Sequence, residues 1–312
     1  MKAPFGLLFT LEHLAWQQVK TKISNARESR YSLFTSEISY LANSVKTVHS
    51  LTEAKSSIKE LKIPVVWKRA AADQPVVKNW SLNYLIKFAG DKAIKLLSLD
   101  GLSSESKRKD KRTTLRDFIR QIDSCNDYLR FSDLFNHAPG LKNDLPLSLF
   151  KKLSDNPRRI NWQFFLGPTG SYTPLHAEMN YNIFLQIFGT KEWIFFPPET
   201  ARYLSPPSAH NFYFSSKIDP FKCVPDREHA TVQGYHIVLE PGDILIVPPF
   251  FWHSVRNPDT SCGVAFKYNS LYDAFRASPL LFSMNLLAKN PGYISYLWNS
   301  IFKKKHIILS SE

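Results

Sequence analysis

The sequence predicts a mainly β core with helical additions at both ends. Three observations carry that class. Residues 160–270 hold short apolar runs separated by Gly/Pro turns, the grammar of antiparallel strands. Residues 1–60 have no Gly after Gly6 and no Pro after Pro4, and they are rich in Leu, Ser, Lys and Glu, as helices are. From Leu271 the pattern turns helical again and continues to Lys303, Lys304 and Lys305.

Taken in order, the first segment opens with an apolar stretch to Phe9 that Glu12 and His13 interrupt, so it reads as a helix and not as a signal peptide. Residues 63–150 mix short strands with helices expected at 82–89 and 114–125. Between them, residues 103–112 are charged and lack apolar anchors, which predicts a flexible loop. The next part is strand-rich: Phe165 and Leu166 lead through Gly167, Pro168 and Gly170 to a strand ending at His176. Residues 181–188 are apolar on both alternating faces, so periodicity cannot say which face Asn182 occupies. Glu240, Pro241, Gly242 and Asp243 form a turn signal that feeds the strand Ile244 to Val247 and then the cluster Phe251, Trp252, His253. A Pro-containing insertion at 200–233 is expected near the mouth of the core, where loops choose substrates.

With 312 residues, 44% of them hydrophobic and 14% aromatic, the chain can build one large domain or two modest ones. Cys125, Cys223 and Cys262 show no Cys-x-x-Cys spacing, which argues against a zinc module or a disulfide framework. The sequence contains no run of eighteen apolar residues, and no membrane span is expected. No internal repeat is visible.

The chemistry-bearing residues are His176, Glu178 and His253. In a strand, side chains at i and i+2 share a face, so His176 and Glu178 can reach one metal while Ala177 points away. A distant histidine, His253, would complete two imidazoles and one carboxylate, the ligand set of oxygen-activating non-haem Fe(II) sites. A His-x-acid triplet is common by chance, and a strand histidine is more often structural than ligating. The surrounding motifs are what give the triplet weight.

Those motifs make residues 61–271 resemble a JmjC domain, the cupin-like Fe(II)- and 2-oxoglutarate-dependent oxygenases. Ile63 to Val66 with Trp80 to Leu85 are similar to the family's entry segment. Gly189 to Pro198, containing Lys191, resemble its cosubstrate strand, and Pro241 to His253 resemble the strand of its second histidine. Within the family the spacing is closest to the asparaginyl hydroxylase that inhibits hypoxia-inducible factor, which carries aspartate where this chain has Glu178. The resemblance implies a double-stranded β-helix, or jelly roll, with its barrel core at about 160–270 and helical segments at 1–60 and 272–312. Such a barrel brings strands from distant parts of the chain face to face.

The same resemblance implies Fe(II), 2-oxoglutarate and dioxygen as cofactor and cosubstrates. Lys191 would pair with the far carboxylate of 2-oxoglutarate, with Thr173 and Tyr128 donating hydroxyl hydrogen bonds to it. Asn182 and Asn269 would orient the metal-side carboxylate or a water. The bland alternatives are a solvent-facing lysine at a hairpin turn and inward amides satisfied by neighbouring strands.

The expected activity is hydroxylation of a side chain in a protein substrate, with release of succinate and carbon dioxide. Demethylation by the same oxidant, a small-molecule or modified-nucleoside hydroxylase, and a silent cupin binding module are the other readings. Forty basic against twenty-seven acidic residues give a net charge of +13, which admits nucleic acid or a ribonucleoprotein as partner. The bland reading of that charge is solvated loops and tails. A cytoplasmic location, or a nuclear one in a eukaryote, is expected. Family likeness and the aromatic residues Tyr293, Tyr296, Trp298 and Phe302 suggest a homodimer through the C-terminal helices.

Overall fold

The computed structural model describes residues 40–98, 110–125, 127–154, 160–202, 204, 213–216, 218–223 and 232–286. All of them fall in one compact unit that spans Ser39–Glu312. Fifteen strands are described: β1 (Tyr40–Ser44), β2 (Lys46–Val48), β3 (Val65–Trp67), β4 (Ala93–Ser98), β5 (Asp110–Thr114), β6 (Asp127–Ser132), β7 (Ile160–Gly167), β8 (Tyr172–Glu178), β9 (Tyr181–Phe188), β10 (Lys191–Phe196), β11 (Tyr213–Ser215), β12 (Val232–Leu239), β13 (Ile244–Val247), β14 (Trp252–Arg256) and β15 (Ser261–Tyr268). They form a six-stranded sheet in the order β1-β12-β10-β14-β8-β11 and a nine-stranded sheet in the order β2-β3-β13-β9-β15-β7-β6-β4-β5. The two sheets make the expected jelly roll.

One apolar cluster lies between the sheets and draws on both of them. It contains Trp193, Phe195 and Val255 from the six-stranded sheet and Tyr128, Phe165, Phe184 and Val247 from the nine-stranded one. A second cluster covers the other face of the nine-stranded sheet. There Ile183, Leu185, Val264 and Phe266 pack under Leu85, Phe118, Phe135 and Phe150. β9 is therefore buried on both faces, which explains its continuous apolar run. Phe184 belongs to the inner cluster, so Asn182, two residues away on the same strand, also faces the interior.

The covering helices start where their caps allow. Ser50 accepts a hydrogen bond from the Glu53 N–H at the start of α1 (Leu51–Glu60), and Glu53 reaches back to the His49 N–H. Ser81 caps α3 (Leu82–Ala89), which follows the short α2 (Pro75–Asn79). Thr114 caps α4 (Leu115–Arg120). After α5 (Leu134–His137) and α6 (Leu147–Leu153), the last described helices are α7 (Leu271–Ala277) and α8 (Pro279–Leu286).

Three expectations are corrected. A helical segment to residue 60 fails at 40–48, because β1 pairs in parallel with β12 and β2 with β3. Those strands extend the sheets, and the compact unit begins upstream of residue 61. The loop expected to reach residue 112 ends sooner, since Asp110 to Thr114 pair with β4 despite their charge. The helix expected at 114–125 stops at Arg120 and gives way to a 3-10 turn at Ile122–Ser124. Residues 1–39, 99–109, most of the 200–233 insertion and 287–312, including Tyr293, Tyr296, Trp298 and Phe302, lie outside the described residues. Among those described, no helix is long and apolar enough to cross a membrane.

Candidate metal centre and cosubstrate pocket

β8 and β14 lie side by side, and their register sets His253 directly opposite His176. The two imidazole centroids are 4.1 Å apart. Each ring is fixed through its Nδ1: His176 is 2.8 Å from the Pro174 carbonyl and His253 2.9 Å from the Phe251 carbonyl. An Nδ1–H that donates to a carbonyl leaves Nε2 as the lone-pair nitrogen, the form a metal ligand needs. Both Nε2 atoms converge on Glu178 Oε1, at 3.5 Å from His176 and 4.0 Å from His253. These are the residues that could hold a metal, with ligand atoms all within 4.8 Å of one another.

The electrostatics favour that donor set. Burial raises the Glu178 carboxyl, but the Lys267 ammonium and then the two imidazoles outweigh it and hold the group well below the usual carboxylate range. Lys267 Nζ lies 2.5 Å from Glu178 Oε1. Burial, followed by the neighbouring His176, pushes His253 down to about 3, so its ring is neutral at physiological pH. Trp193 stacks on that ring at 5.7 Å and fixes its plane. The ligand strand is held at its end by Phe250, whose N–H donates to the Glu178 carbonyl at 2.6 Å from a left-handed backbone, φ 61°.

Strict alternation along β8 would put Thr173 and His176 on opposite faces, yet both line the same pocket. A bulge resolves this. Between the pairs His253↔His176 and Val255↔Thr173 the register slips by one, so Pro174 and Leu175 oppose the single residue Ser254. Ser254 Oγ donates to the Thr173 carbonyl at 2.9 Å and closes the gap.

Lys191 is 1% exposed. Its Nζ donates to Asn257 Oδ1 at 2.7 Å and to the Tyr128 hydroxyl at 3.2 Å. It does not face solvent from a hairpin turn. Gly167 makes room for this arrangement, because a Cβ there would meet a Tyr128 ring carbon at 2.6 Å. The Gly167 carbonyl also accepts from Asn257 Nδ2 at 3.2 Å.

The pocket thus brings together His176, Glu178, His253, Lys191, Thr173, Tyr128 and Asn182. Asn182 Oδ1 is buried with no hydrogen-bond partner, a polar atom of the kind a bound ligand satisfies. Asn269 is the exception. It lies past the end of β15, is exposed and does not line the pocket, so its expected role is withdrawn. The inward position near the end of β15 belongs to Lys267, which pairs in register with Asn182. The sequence reading missed Lys267 and Asn257. A charged residue amid the apolar run of β15 was the available signal for Lys267; Asn257 sits just after β14 and carried none.

A family model described as "Cupin-like domain" matches residues 52–277. The chain is 28% identical over 230 residues to Jumonji C domain-containing protein 5 of Drosophila melanogaster, covering 70% of this chain and 57% of that protein. It is 26% identical over 212 residues to lysine-specific demethylase 8 of Xenopus tropicalis, covering 65% of this chain and 47% of the relative. It is 27% identical over 237 residues to HSPB1-associated protein 1 of Homo sapiens, covering 66% and 48%. The chain spans about half the length of the curated relatives it matches.

Proposed function

Because the chain belongs to the cupin-like JmjC family of Fe(II)- and 2-oxoglutarate-dependent oxygenases, we propose that it hydroxylates a side chain of a protein substrate. The observation that carries the reading is the convergence of two imidazole Nε2 atoms and one carboxylate oxygen in a pocket that a buried lysine also lines. His176, Glu178 and His253 would hold the iron. When bound, iron and 2-oxoglutarate supply the oxidant that breaks a substrate C–H bond, with succinate and carbon dioxide released.

The chain's own residues prepare that chemistry. Lys191 presents a positive charge to the far carboxylate of the cosubstrate, and Tyr128 and Thr173 add hydroxyl donors. A buried ammonium that meets a carboxylate recovers part of its desolvation cost. Lys267 places a second cation beside Glu178, and Asn182, paired with it in register, lines the same pocket. Phe165, Phe184 and Trp193 give the pocket an apolar wall.

Hydroxylation is favoured over N-methyl demethylation by the charges in the lining. Glu178 is its one carboxylate among the described residues, against Lys191 and Lys267. The relative called lysine-specific demethylase 8 is named for the second reaction. The finer likeness to the asparaginyl hydroxylase rests on motif spacing alone. A cytoplasmic or nuclear location belongs to the same proposal.

The test is turnover of protein and peptide substrates under isotopically labelled dioxygen. Hydroxylation leaves one labelled oxygen atom on the substrate. Formaldehyde release with loss of a methyl group would assign demethylation instead.

A further inference from the structure

Phe131 is the odd residue at the pocket. β6 pairs with β7 through a bulge, where Arg130 and Phe131 together oppose Phe165. At that bulge Phe131 takes a left-handed backbone, φ 54°, a conformation glycine or asparagine adopts readily and a bulky side chain resists. Phe131 is 38% exposed, whereas Phe165, Phe184 and Trp193 in the same lining are buried. A strained backbone and an exposed aromatic both oppose stability, and such residues concentrate where a ligand is handled.

Its place fits that role. The ring stands edge-on to the His176 imidazole at 6.4 Å and to Phe165 at 5.4 Å. Two cations lie against it: Lys267 Nζ and the Arg130 guanidinium carbon are each 5.2 Å from its centroid. Lys191 likewise lies 5.5 Å from the Tyr128 ring and 5.7 Å from the Phe184 ring. An incoming alkylammonium needs an open aromatic face or a carboxylate. Here those ring faces carry the protein's own cations, and Glu178 is engaged by Lys267.

We infer that Phe131 is a specificity-determining residue: its ring is the substrate-facing wall beside His176 and, with Arg130 and Lys267 against it, admits an uncharged side chain and turns away an alkylammonium. The inference rests on the oxygenase reading of the same pocket and names the charge class of its substrate.

The experiment replaces Phe131 by trifluoromethylphenylalanine at that site alone and follows the fluorine resonance while a neutral nitroxide or its trimethylammonium analogue is added. The neutral probe broadens the line about threefold more than the cationic one at low salt, the scale of one unit-charge repulsion at this range in water. High salt narrows the difference. Equal broadening, an excess from the cationic probe, or no broadening by either overturns the inference. In parallel, Phe131→Gly melts at the wild-type temperature or above it, because glycine relieves the left-handed strain. A melting temperature well below wild type makes the ring a packing residue and overturns the inference too. Neither arm requires iron or 2-oxoglutarate, so their failure is distinct from failure of the oxygenase reading.

Discussion

Lys191 Nζ and Asn257 Oδ1 are 2.7 Å apart in the interior of the barrel, and among the described residues the lysine's other hydrogen-bond partner is the Tyr128 hydroxyl. A buried ammonium held by two neutral groups retains the capacity to pair with an anion. Asn257→Ala removes the closer partner and should destabilise the protein by about 1–3 kcal/mol. Saturating 2-oxoglutarate should restore much of the loss, since a ligand that binds only the native state stabilises it by mass action. Thermal melts with and without the cosubstrate check both halves.

Lys191→Ala should weaken 2-oxoglutarate binding by about 1.5–3 kcal/mol, the worth of a hydrogen bond to a charged group. That is roughly a 10- to 150-fold rise in dissociation constant. Metal affinity should change little, because Lys191 hydrogen-bonds Tyr128 and Asn257 and none of the three candidate ligands. Calorimetric titration of each component separates the two effects.

The turn that launches β13 depends on a fully buried carboxylate. Asp243 accepts from Lys68 Nζ at 2.7 Å, from the Arg69 N–H at 2.9 Å and from the Glu240 N–H at 2.9 Å. Asp243→Ala should cost about 3 kcal/mol or more, since it strands those donors. Gly242 beside it has φ 90°, and a Cβ there would meet Ala72 Cα at 2.8 Å, so Gly242→Ala should be destabilising as well. Urea denaturation of the two variants measures this.

Burial pushes the Cys262 thiol well above its ordinary range, and Lys191 offsets this only in part. Its native pKa is raised, so its contribution to stability is intact below the unfolded thiol value and is lost as pH rises through the alkaline range. Reaction with a maleimide near neutral pH should label half-buried Cys125 and Cys223 and spare Cys262 until the protein unfolds. Mass spectrometry of the labelled peptides distinguishes them.

We propose that α7 and α8 mediate homodimerisation. Leu271, Tyr272, Phe275 and Leu280 on these helices are exposed, with Tyr272 at 71% and Leu280 at 68%. Tyr272→Lys combined with Leu280→Glu should convert a dimer to a monomer in sedimentation. An unchanged sedimentation coefficient would contradict the proposal.

Of the candidate triad, the His176–Glu178 pair is legible in the sequence because a strand's two-residue period sets both on one face, while His253 and the weight of the triplet come from the surrounding motifs. Lys191 and Thr173 were legible only through family resemblance. Thr173 in particular violates alternation, and the β8 bulge that turns it inward leaves no local signal beyond Pro174. Asn269 takes its expected role from family resemblance alone; it lies exposed past the end of β15, and Lys267, two positions earlier, holds the inward position. β1 and β2 were hidden because their residues lack turn punctuation, and their pairing is with β12 and β3, which local propensity cannot report. The inward face of β9 became decidable only once helices were seen covering its other side.

The most direct measurement is an anaerobic titration of the Fe(II)-loaded protein with 2-oxoglutarate, following the visible metal-to-ligand charge-transfer band. The oxygenase assignment predicts a saturable band that is lost in His176→Ala and requires far more cosubstrate in Lys191→Ala. A wild-type protein that binds Fe(II) but develops no band at any 2-oxoglutarate concentration would contradict it.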